Sequence, residues 1–99
     1  MGLHLQVALD GVRYKKAISF EYRGVRRVVA PHAVGVGHDG RASLSAYLID
    51  GKPLIRGNYW LYCALDDLTN VRLEADDFSN AQPGYTLNDT RFQRFFATL

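Results

Sequence analysis

The spacing of hydrophobic positions near the start of the chain predicts a helix. Four apolar residues recur at i, i+3, i+4 and i+7, namely Leu5, Ala8, Leu9 and Val12. This spacing places one apolar stripe on a short helix over roughly residues 4–14. A first strand is the alternative, because apolar side chains also alternate over residues 3–9 and Gly11 weakens a helix.

A period of two then takes over and predicts a β-hairpin. Apolar and polar side chains alternate over residues 18–22, as in a strand with one buried face. Gly24 suits a tight turn, and residues 26–30 form the partner strand. We expect Pro31 to end that strand, because proline has no N–H to donate to a ladder.

The middle of the chain predicts a loop and three further strands. Residues 35–40 are rich in glycine and favour a loop, in which Asp39-Gly40 suits the positive φ angles of a turn. Residues 43–48 alternate again. Residues 59–65 are apolar enough for a strand buried on both faces, and residues 71–75 supply a fifth strand.

The last quarter predicts a surface excursion and a second helix. Residues 76–84 contain many turn-forming residues, and we expect Phe78 and Tyr85 to reach back to the core as apolar anchors. Asn88 is a candidate N-cap, and Asp89 suits a first helical turn. Helical spacing then relates four apolar residues, Phe92, Phe95, Phe96 and Leu99. We therefore predict a C-terminal amphipathic helix.

Size and composition predict one mainly β domain. The 99 residues, of which 47% are apolar and 22% charged, suffice for one core but not for two. Six Tyr, five Phe and one Trp favour strands. We predict a single domain over residues 1–99, with its core at about 16–75 and a C-terminal extension and helix at 76–99.

Charge is unevenly distributed along the chain. Residues 1–60 carry nine Lys or Arg against four Asp or Glu, and residues 61–99 carry three against six. A basic half could meet phosphate groups. The alternative is that folding interleaves the two halves and cancels the field.

The candidates for catalysis and metal binding do not form a recognisable site. Cys63 is the sole cysteine, which excludes an intramolecular disulfide, and it lies in the most apolar stretch, where a buried thiol is inert. His32 and His38 are not at ligand spacing, and we expect His32 to hydrogen-bond the backbone of its turn. The adjacent carboxylates at 66–67 and 76–77 point apart on extended backbone. We therefore expect no enzyme, no cofactor and no metal.

The start of the chain also bears on location. It lacks the basic start, long apolar run and cleavage site of a secretory signal, and no stretch reaches membrane-spanning length. We expect a cytoplasmic protein without a membrane partner.

A binding surface is what the remaining polar residues indicate. The first hairpin contains Tyr22 together with Arg23, Arg26 and Arg27, and Arg41 stands beside the third strand. Arginine and tyrosine together stack on bases and hold phosphates. The alternative is that these are strand residues that simply face water.

The order of four short motifs resembles the WYL domain. They are A-I-x-F-x-Y from residue 17, G-x-R-x-V-x-x-P-H from residue 24, G-R-x-x-L-x-A-Y from residue 40 and W-x-x-x-x-L-D-x-L from residue 60. The chain resembles in particular the short, stand-alone bacterial WYL-like proteins, which continue to a Phe, a Pro-Gly-Tyr and a closing helix. The matching positions are Phe78, residues 83–85 and residues 89–99.

The resemblance implies a small five-stranded barrel of the SH3/Sm type. It also implies a regulator, without catalysis, that senses a ligand or binds nucleic acid, as in bacterial transcription regulators and phage defence. The chain departs from the family at two places. Residues 42–44 read Ala-Ser-Leu in place of Trp-Tyr-Leu, and Leu61, Ala64 and Asp67 replace arginines of a second family segment.

Two functions follow as hypotheses. The first is a WYL-like module that binds single-stranded RNA or DNA, or another anionic ligand, through Arg26, Arg27, Arg41 and Tyr47, with Tyr22 and Arg23 nearby. The second is a protein-interaction module, such as a phage or mobile-element protein that modulates a host defence complex. Its interface would use exposed tyrosines, namely Tyr47, Tyr59 and Tyr62. A homodimer through an open sheet edge or the Phe-rich helix is a further alternative.

Overall fold

One helix and a six-stranded antiparallel sheet form the part of the chain that the structure, a computed structural model, describes: residues 2–86 and 89–99. In chain order the elements are α1 (Gly2–Tyr14), β1 (Lys16–Tyr22), β2 (Val25–Gly37), β3 (Ala42–Asp50), β4 (Trp60–Ala64), a 3-10 turn (Leu65–Asp67), β5 (Thr69–Asp77) and β6 (Phe92–Thr98). The prediction of a mainly β protein with an N-terminal helix is confirmed. The candidate N-cap Asn88 lies outside the described residues.

Strand β2 organises the sheet. The strand order is β4-β3-β2-β1-β5, and β6 also pairs with β2. The first half of β2 pairs with β1, up to Val29, and its second half pairs with β6, from Ala33 onward. Strand β3 follows the opposite edge of β2 past both halves. Two halves of the sheet therefore share one long strand.

The predicted hairpin between β1 and β2 is confirmed. Tyr22 pairs with Val25, and the two residues between them, Arg23 and Gly24, have φ angles of 53° and 74°. Two positive φ angles in a two-residue loop define a type I′ turn, whose twist matches that of the strands. Glycine adopts this conformation without steric cost, whereas Arg23 adopts it against the usual preference of an L residue.

Pro31 does not end β2, contrary to prediction. The strand continues to Gly37. Pro31 lies between the last residue that pairs with β1 and the first that pairs with β6, and a register shift against β3 follows it. Proline is tolerated where a ladder is interrupted in this way.

The glycines at 35 and 37 are strand residues and not loop residues, which is a second correction. Strand β6 passes so close to β2 that a Cβ on Gly35 would lie 2.1 Å from the carbonyl oxygen of Arg94. A Cβ on Gly37 would lie 2.6 Å from the hydroxyl of Tyr62. The turn itself is confined to residues 38–41, where Gly40 has a φ of 79°.

The prediction of a C-terminal helix is wrong. Residues 92–98 form β6, which pairs with β2 from Gly37 to Ala33. Apolar side chains at 95, 97 and 99 also alternate, and the free edge of β2 decides between the two periods. Among the described residues the sheet therefore has six strands and not five, and the Phe-rich helix, one of the two alternatives for a homodimer surface, is a strand instead.

The core lies between α1 and the sheet. The predicted apolar stripe of the helix is confirmed, since Ala8 and Val12 are buried and Leu5 and Leu9 pack beside them. The buried core consists of Ala8, Val12, Ile18, Phe20, Val29, Val34, Leu44, Ala46, Leu48, Leu61, Cys63, Leu65 and Leu68. No helix within the described ranges has the length and apolar character needed to span a bilayer.

The two outer strands of the order were found with different success. Strand β5 contains the predicted fifth strand at 71–75 and is mostly exposed. Strand β4 was predicted to be buried on both faces. In the structure its core face is buried, whereas Trp60 and Tyr62 on the other face are half-buried.

Candidate binding surface

Two loops meet at one end of the sheet. Because β2 lies between β1 and β3, the β1–β2 turn and the β3–β4 loop are neighbours, and Val28 on β2 pairs with Asp50 on β3. The side chain of Arg27 donates a hydrogen bond from Nε to the carbonyl oxygen of Lys52, at 2.8 Å. We call residues 21–27 together with residues 49–59 the basic end.

Positive charge is concentrated at the basic end. It contains five basic residues, Arg23, Arg26, Arg27, Lys52 and Arg56. Its two acidic residues, Glu21 and Asp50, leave a net charge of +3, although the whole chain carries only +2. Within the part of the chain that the structure covers, no carboxylate lies within 4.0 Å of the charged group of Arg23, Lys52 or Arg56.

Arg27 holds the basic end together from inside. It pairs with Phe20 across the hairpin, so it lies on the core face of the sheet, and only 4% of it is exposed. Besides the bond to Lys52, it donates from Nη1 to the carbonyl oxygen of Tyr22 at 2.5 Å. A buried cation needs such acceptors. The guanidinium therefore positions both loops and is not free for a ligand.

Arg26 remains on the surface. Its guanidinium is 3.7 Å from the Glu74 carboxylate, and its side chain is 53% exposed. The same carboxylate accepts a hydrogen bond of 2.5 Å from the hydroxyl of Ser19. A long, exposed ion pair contributes little and exchanges readily with water or a ligand.

Arg41 lies at the other end of β2, away from the remaining predicted arginines. It follows the turn after Gly37, to whose N–H its carbonyl oxygen is bonded. Its guanidinium donates to Asp67 at 2.8 Å, and this carboxylate raises the pKa of Arg41. The structure brings Tyr22, Arg23, Arg26 and Arg27 together but does not bring Arg41 to them.

Aromatic side chains lead into the basic end. Tyr47 is half-buried on β3, with its ring centroid 5.3 Å from Trp60 and 6.2 Å from Tyr59. Tyr59 is 47% exposed. Tyr22 is half-buried, and the Arg23 guanidinium is 5.4 Å from its ring centroid. Tyr47, a predicted site residue, therefore packs near Tyr59, whose ring is the more exposed of the two.

The β3–β4 loop also exposes apolar side chains. Of the large hydrophobic residues that are exposed, Leu54, Ile55 and Tyr59 are in this loop, and Ile49 is next to it near the end of β3. Ile55 is 67% exposed. Sequence reasoning named Tyr59 among the exposed tyrosines but missed the three aliphatic residues together with Lys52 and Arg56, because Gly51 and Pro53 indicate only a break between two strands. An apolar residue within a turn-rich segment was the signal available.

A second feature is the strap, residues 78–85, which packs against His32. The prediction that Phe78 and Tyr85 return as anchors is confirmed, since their ring centroids lie 5.6 and 5.0 Å from that of His32. Trp60 donates from Nε1 to the carbonyl oxygen of Pro83 at 2.8 Å. The strap is thus fixed by both stacking and hydrogen bonds.

The hydrogen bonds of His32 define its protonation state. Its Nδ1 lies 2.7 Å from the carbonyl oxygen of Ala30, and its Nε2 lies 2.9 Å from the backbone nitrogen of Gln82. The first partner is an acceptor and the second a donor, so the neutral ring carries its proton on Nδ1. Burial lowers the pKa of His32. The expected hydrogen bond from His32 to the backbone is confirmed, but it forms within β2 and not in a turn.

The remaining candidates for chemistry are separated. Cys63 is buried, as predicted, and burial raises the pKa of its thiol to about 12. His38 is bound through Nε2 to the carbonyl oxygen of Thr90, at 2.9 Å. Across residues 2–86 and 89–99, no three His, Cys, Asp or Glu side chains are grouped as a metal site would require.

Comparison with known proteins assigns neither a family nor an activity. No family model, no curated protein and no solved structure matches this chain. The resemblance to the WYL domain therefore rests on its sequence motifs and stays a prediction.

Proposed function

We propose that this chain is a non-enzymatic binding module that holds an anionic ligand, single-stranded nucleic acid in particular, against its basic end. The observation that carries the proposal is that Arg23, Lys52 and Arg56 lie on two adjoining loops without a carboxylate partner among the described residues. Tyr59 is exposed in the same region. Basic groups beside exposed aromatic rings are typical of surfaces that bind single strands.

The side chains divide the work of binding. Arg23, Lys52 and Arg56 contact phosphates, and Arg26 joins them by exchanging its weak contact with Glu74. A base stacks on Tyr59. Arg27 positions the two loops from the core, while Arg41, at the far end, takes no part.

The strand arrangement supports the barrel that the WYL resemblance implies. A long strand shared by two halves of a sheet allows the sheet to fold over on itself. The order β4-β3-β2-β1-β5, with a 3-10 turn between β4 and β5, suits a small barrel of the SH3/Sm type. In this proposal the protein is a cytoplasmic regulator.

A salt titration tests the proposal. Fluorescence polarisation of labelled single-stranded RNA and DNA should show an affinity that falls as salt rises. For single strands, log affinity changes with log salt by about −0.7 per phosphate contact, so replacing Arg23, Lys52 and Arg56 by Gln should reduce the slope by about 2.

A charge-matched control distinguishes the basic end from net charge. The triple variant Arg13→Gln, Arg41→Gln and Arg72→Gln removes the same charge from other surfaces and should leave the slope unchanged. The proposal fails if the protein has no affinity at low salt, or if both triple variants lose affinity equally.

A second candidate is a protein-interaction module, favoured by the apolar side chains of the β3–β4 loop. Ile49 and Ile55 are 54% and 67% exposed, and the basic residues beside them suit an acidic rim on a partner protein. Such a partner could belong to a host defence complex, if the chain is a phage or mobile-element protein.

Serine substitutions separate the two candidates. The double variant Ile49→Ser and Ile55→Ser should leave affinity for single strands unchanged but abolish a protein interaction that survives nuclease treatment. Leu73→Ser is the control, because Leu73 is an exposed apolar residue on β5. Loss of binding in the Leu73 variant as well would contradict an interface on the β3–β4 loop.

A further inference from the structure

A groove of about 550 Å³ opens where the helix ends, far from the basic end. It lies at the start of β1, whereas the β1–β2 turn lies at the end of that strand. The residues that matter to its chemistry are Lys15, Asn80, Gln82, Gly84, Tyr85 and Leu99. The volume is that of a site for a small molecule.

One wall of the groove is the Tyr85 ring, which is held firmly. Its centroid is 5.0 Å from that of His32 and 6.1 Å from that of Trp60, with the Trp60 ring nearly parallel at 19°. Leu99 adds an apolar contact, and its backbone nitrogen donates to the carbonyl oxygen of His32 at 2.9 Å. The apolar wall is therefore preformed.

Lys15 supplies the positive charge of the groove. It is the charged side chain among the described residues that line it, and no carboxylate there lies within 4.0 Å of its ammonium. The neighbouring Lys16, in contrast, is paired with Asp77 at 2.5 Å. Asn80 and Gln82 add amide groups that donate or accept hydrogen bonds.

The backbone at Lys15 makes a lysine there noteworthy. Its φ is 53°, directly after the last residue of α1, where helices usually place glycine. Its carbonyl oxygen accepts a hydrogen bond from the backbone of Phe78, at 2.9 Å, and glycine would make this bond equally well. What lysine adds is a basic side chain among the residues that line the groove.

We propose that this groove binds a small amphipathic anion. The flat apolar body of the ligand packs on Tyr85 and Leu99, its single carboxylate, sulfonate or phosphate group binds Lys15, and Asn80 and Gln82 hydrogen-bond its polar edge. The site is separate from the basic end and does not depend on the function proposed for it.

Two probes that differ in one charge test the proposal. Anilinonaphthalene sulfonate is a flat anion, and phenyl-naphthylamine is nearly the same molecule without the sulfonate. Titrations followed by backbone amide NMR should show the sulfonate shifting the amides of residues 79–82, 84–85 and Leu99. The uncharged probe should bind about tenfold more weakly, as expected for the loss of one charge-assisted contact.

Variants at two positions with the same backbone conformation sharpen the test. Lys15→Gly should weaken sulfonate binding about tenfold while raising the melting temperature, because glycine suits the φ of 53°. Arg23→Gly removes the same charge at a residue with the same φ, and should leave groove binding unchanged. Lys15→Asn tolerates the same conformation and should reproduce the loss.

The outcomes that overturn the proposal are distinct. They are equal binding of the two probes, equal loss in the Lys15 and Arg23 variants, and amide shifts confined to residues 49–59. The last result would assign the probe to the basic end.

Discussion

The two ends of strand β2 carry similar basic residues but form different surfaces. At the first end, Arg23 and its neighbours on the β3–β4 loop have no carboxylate partner among the described residues. At the last end, Arg41 pairs with Asp67 at 2.8 Å, and Arg91, which precedes β6, pairs with Asp89 at 2.5 Å. The chemistry of an arginine here is decided by which acidic residue folds back onto it.

The acidic partners come from the second part of the chain. Three ion pairs join a base in residues 1–60 to an acid in residues 61–99: Lys16–Asp77, Arg26–Glu74 and Arg41–Asp67. Folding thus interleaves the two charged halves, which was the alternative interpretation of the charge pattern. Other bases among the described residues, such as Lys15 and Arg94, also lack an ion pair, but at the basic end three unpaired bases lie on two adjoining loops.

The largest loss of stability that we predict is at the last end of β2, where β6 pairs with it. Gly35→Val would place a side chain 2.1 Å from a backbone oxygen of β6, and backbone cannot move aside cheaply. We expect the free energy of unfolding to fall by about 3 kcal/mol or more. Chemical denaturation measures this, and hydrogen exchange should show that β6 loses protection first.

Gly57→Ala is the matched control at the basic end. No atom lies within 4 Å of a Cβ built there, but φ is 84°, so only the conformational cost of about 1 kcal/mol remains. If both variants are destabilised equally, close approach of β6 is not the reason for Gly35.

The next largest loss of stability is expected at Arg27, the buried guanidinium of the basic end. Arg27→Met fills the same space but leaves the carbonyl oxygens of Tyr22 and Lys52 without their donor. We expect a loss of about 2 kcal/mol, because partly buried acceptors left without their donor are costly while removal of a buried charge partly compensates. Arg26→Met should cost less than about 0.5 kcal/mol. Equal losses would show that Arg27 is not the residue that positions the loops.

The contrast between the two ends also shows what the sequence could predict. Local periodicity identified α1, the hairpin at Gly24, the alternation of β3 and the existence of β5. These elements have one buried stripe or face and a turn of recognisable chemistry, so their neighbours hardly affect the prediction. The anchors Phe78 and Tyr85 were found in the same way, as large apolar residues in a polar segment.

The errors at the last end of β2 are linked and have one physical cause. Gly35 and Gly37 indicated a loop, whereas both lack a side chain for close approach: of the β6 backbone at Gly35 and of the Tyr62 hydroxyl at Gly37. Once that half of β2 was missed, residues 92–98 had no partner strand, and helical spacing was the remaining interpretation. Pairing between residues distant in sequence decided both.

The candidate site was only partly predicted, again because pairing between residues distant in sequence decides which side chains meet. Arg23, Arg26 and Arg27 were chosen from one hairpin, whose residues are necessarily close. Lys52 and Arg56 join them only through the order of β1, β2 and β3, and that order also carries Arg41 away. Burial of Arg27 likewise follows from its register opposite Phe20.

The third prediction concerns His32, which lies where β2 passes from its first partner to its second. Burial lowers the pKa of His32 below its usual 6.5, despite the hydrogen bond to Ala30. Below about pH 6.5 the unfolded chain therefore binds a proton that the folded chain does not. As the pH falls below about 6.5, the free energy of unfolding of the protein should therefore fall by at most about 1.4 kcal/mol per pH unit, until the pH reaches the pKa of His32 in the folded state.

Denaturation between about pH 7.5 and 5.5 measures this dependence, since carboxylates titrate mainly at lower pH. His38→Gln should retain it, because His38 is exposed. His32→Gln should lose it, with lower stability throughout. If the two variants keep the same pH dependence, protonation of His32 is not its cause.

The smallest effect is expected for Arg41, and it completes the comparison. Its ion pair with Asp67 is exposed on both sides, so solvent screens it and Arg41→Gln should leave the unfolding midpoint unchanged. The variant should also leave single-strand affinity unchanged, because the Asp67 carboxylate already offsets this charge. Arg56→Gln at the basic end removes the same charge from a residue without a carboxylate partner among the described residues. It should weaken single-strand binding while leaving stability intact. A loss of affinity in the Arg41 variant as large as in the Arg56 variant would mean that pairing with an acid does not decide which arginines of this fold are free to bind.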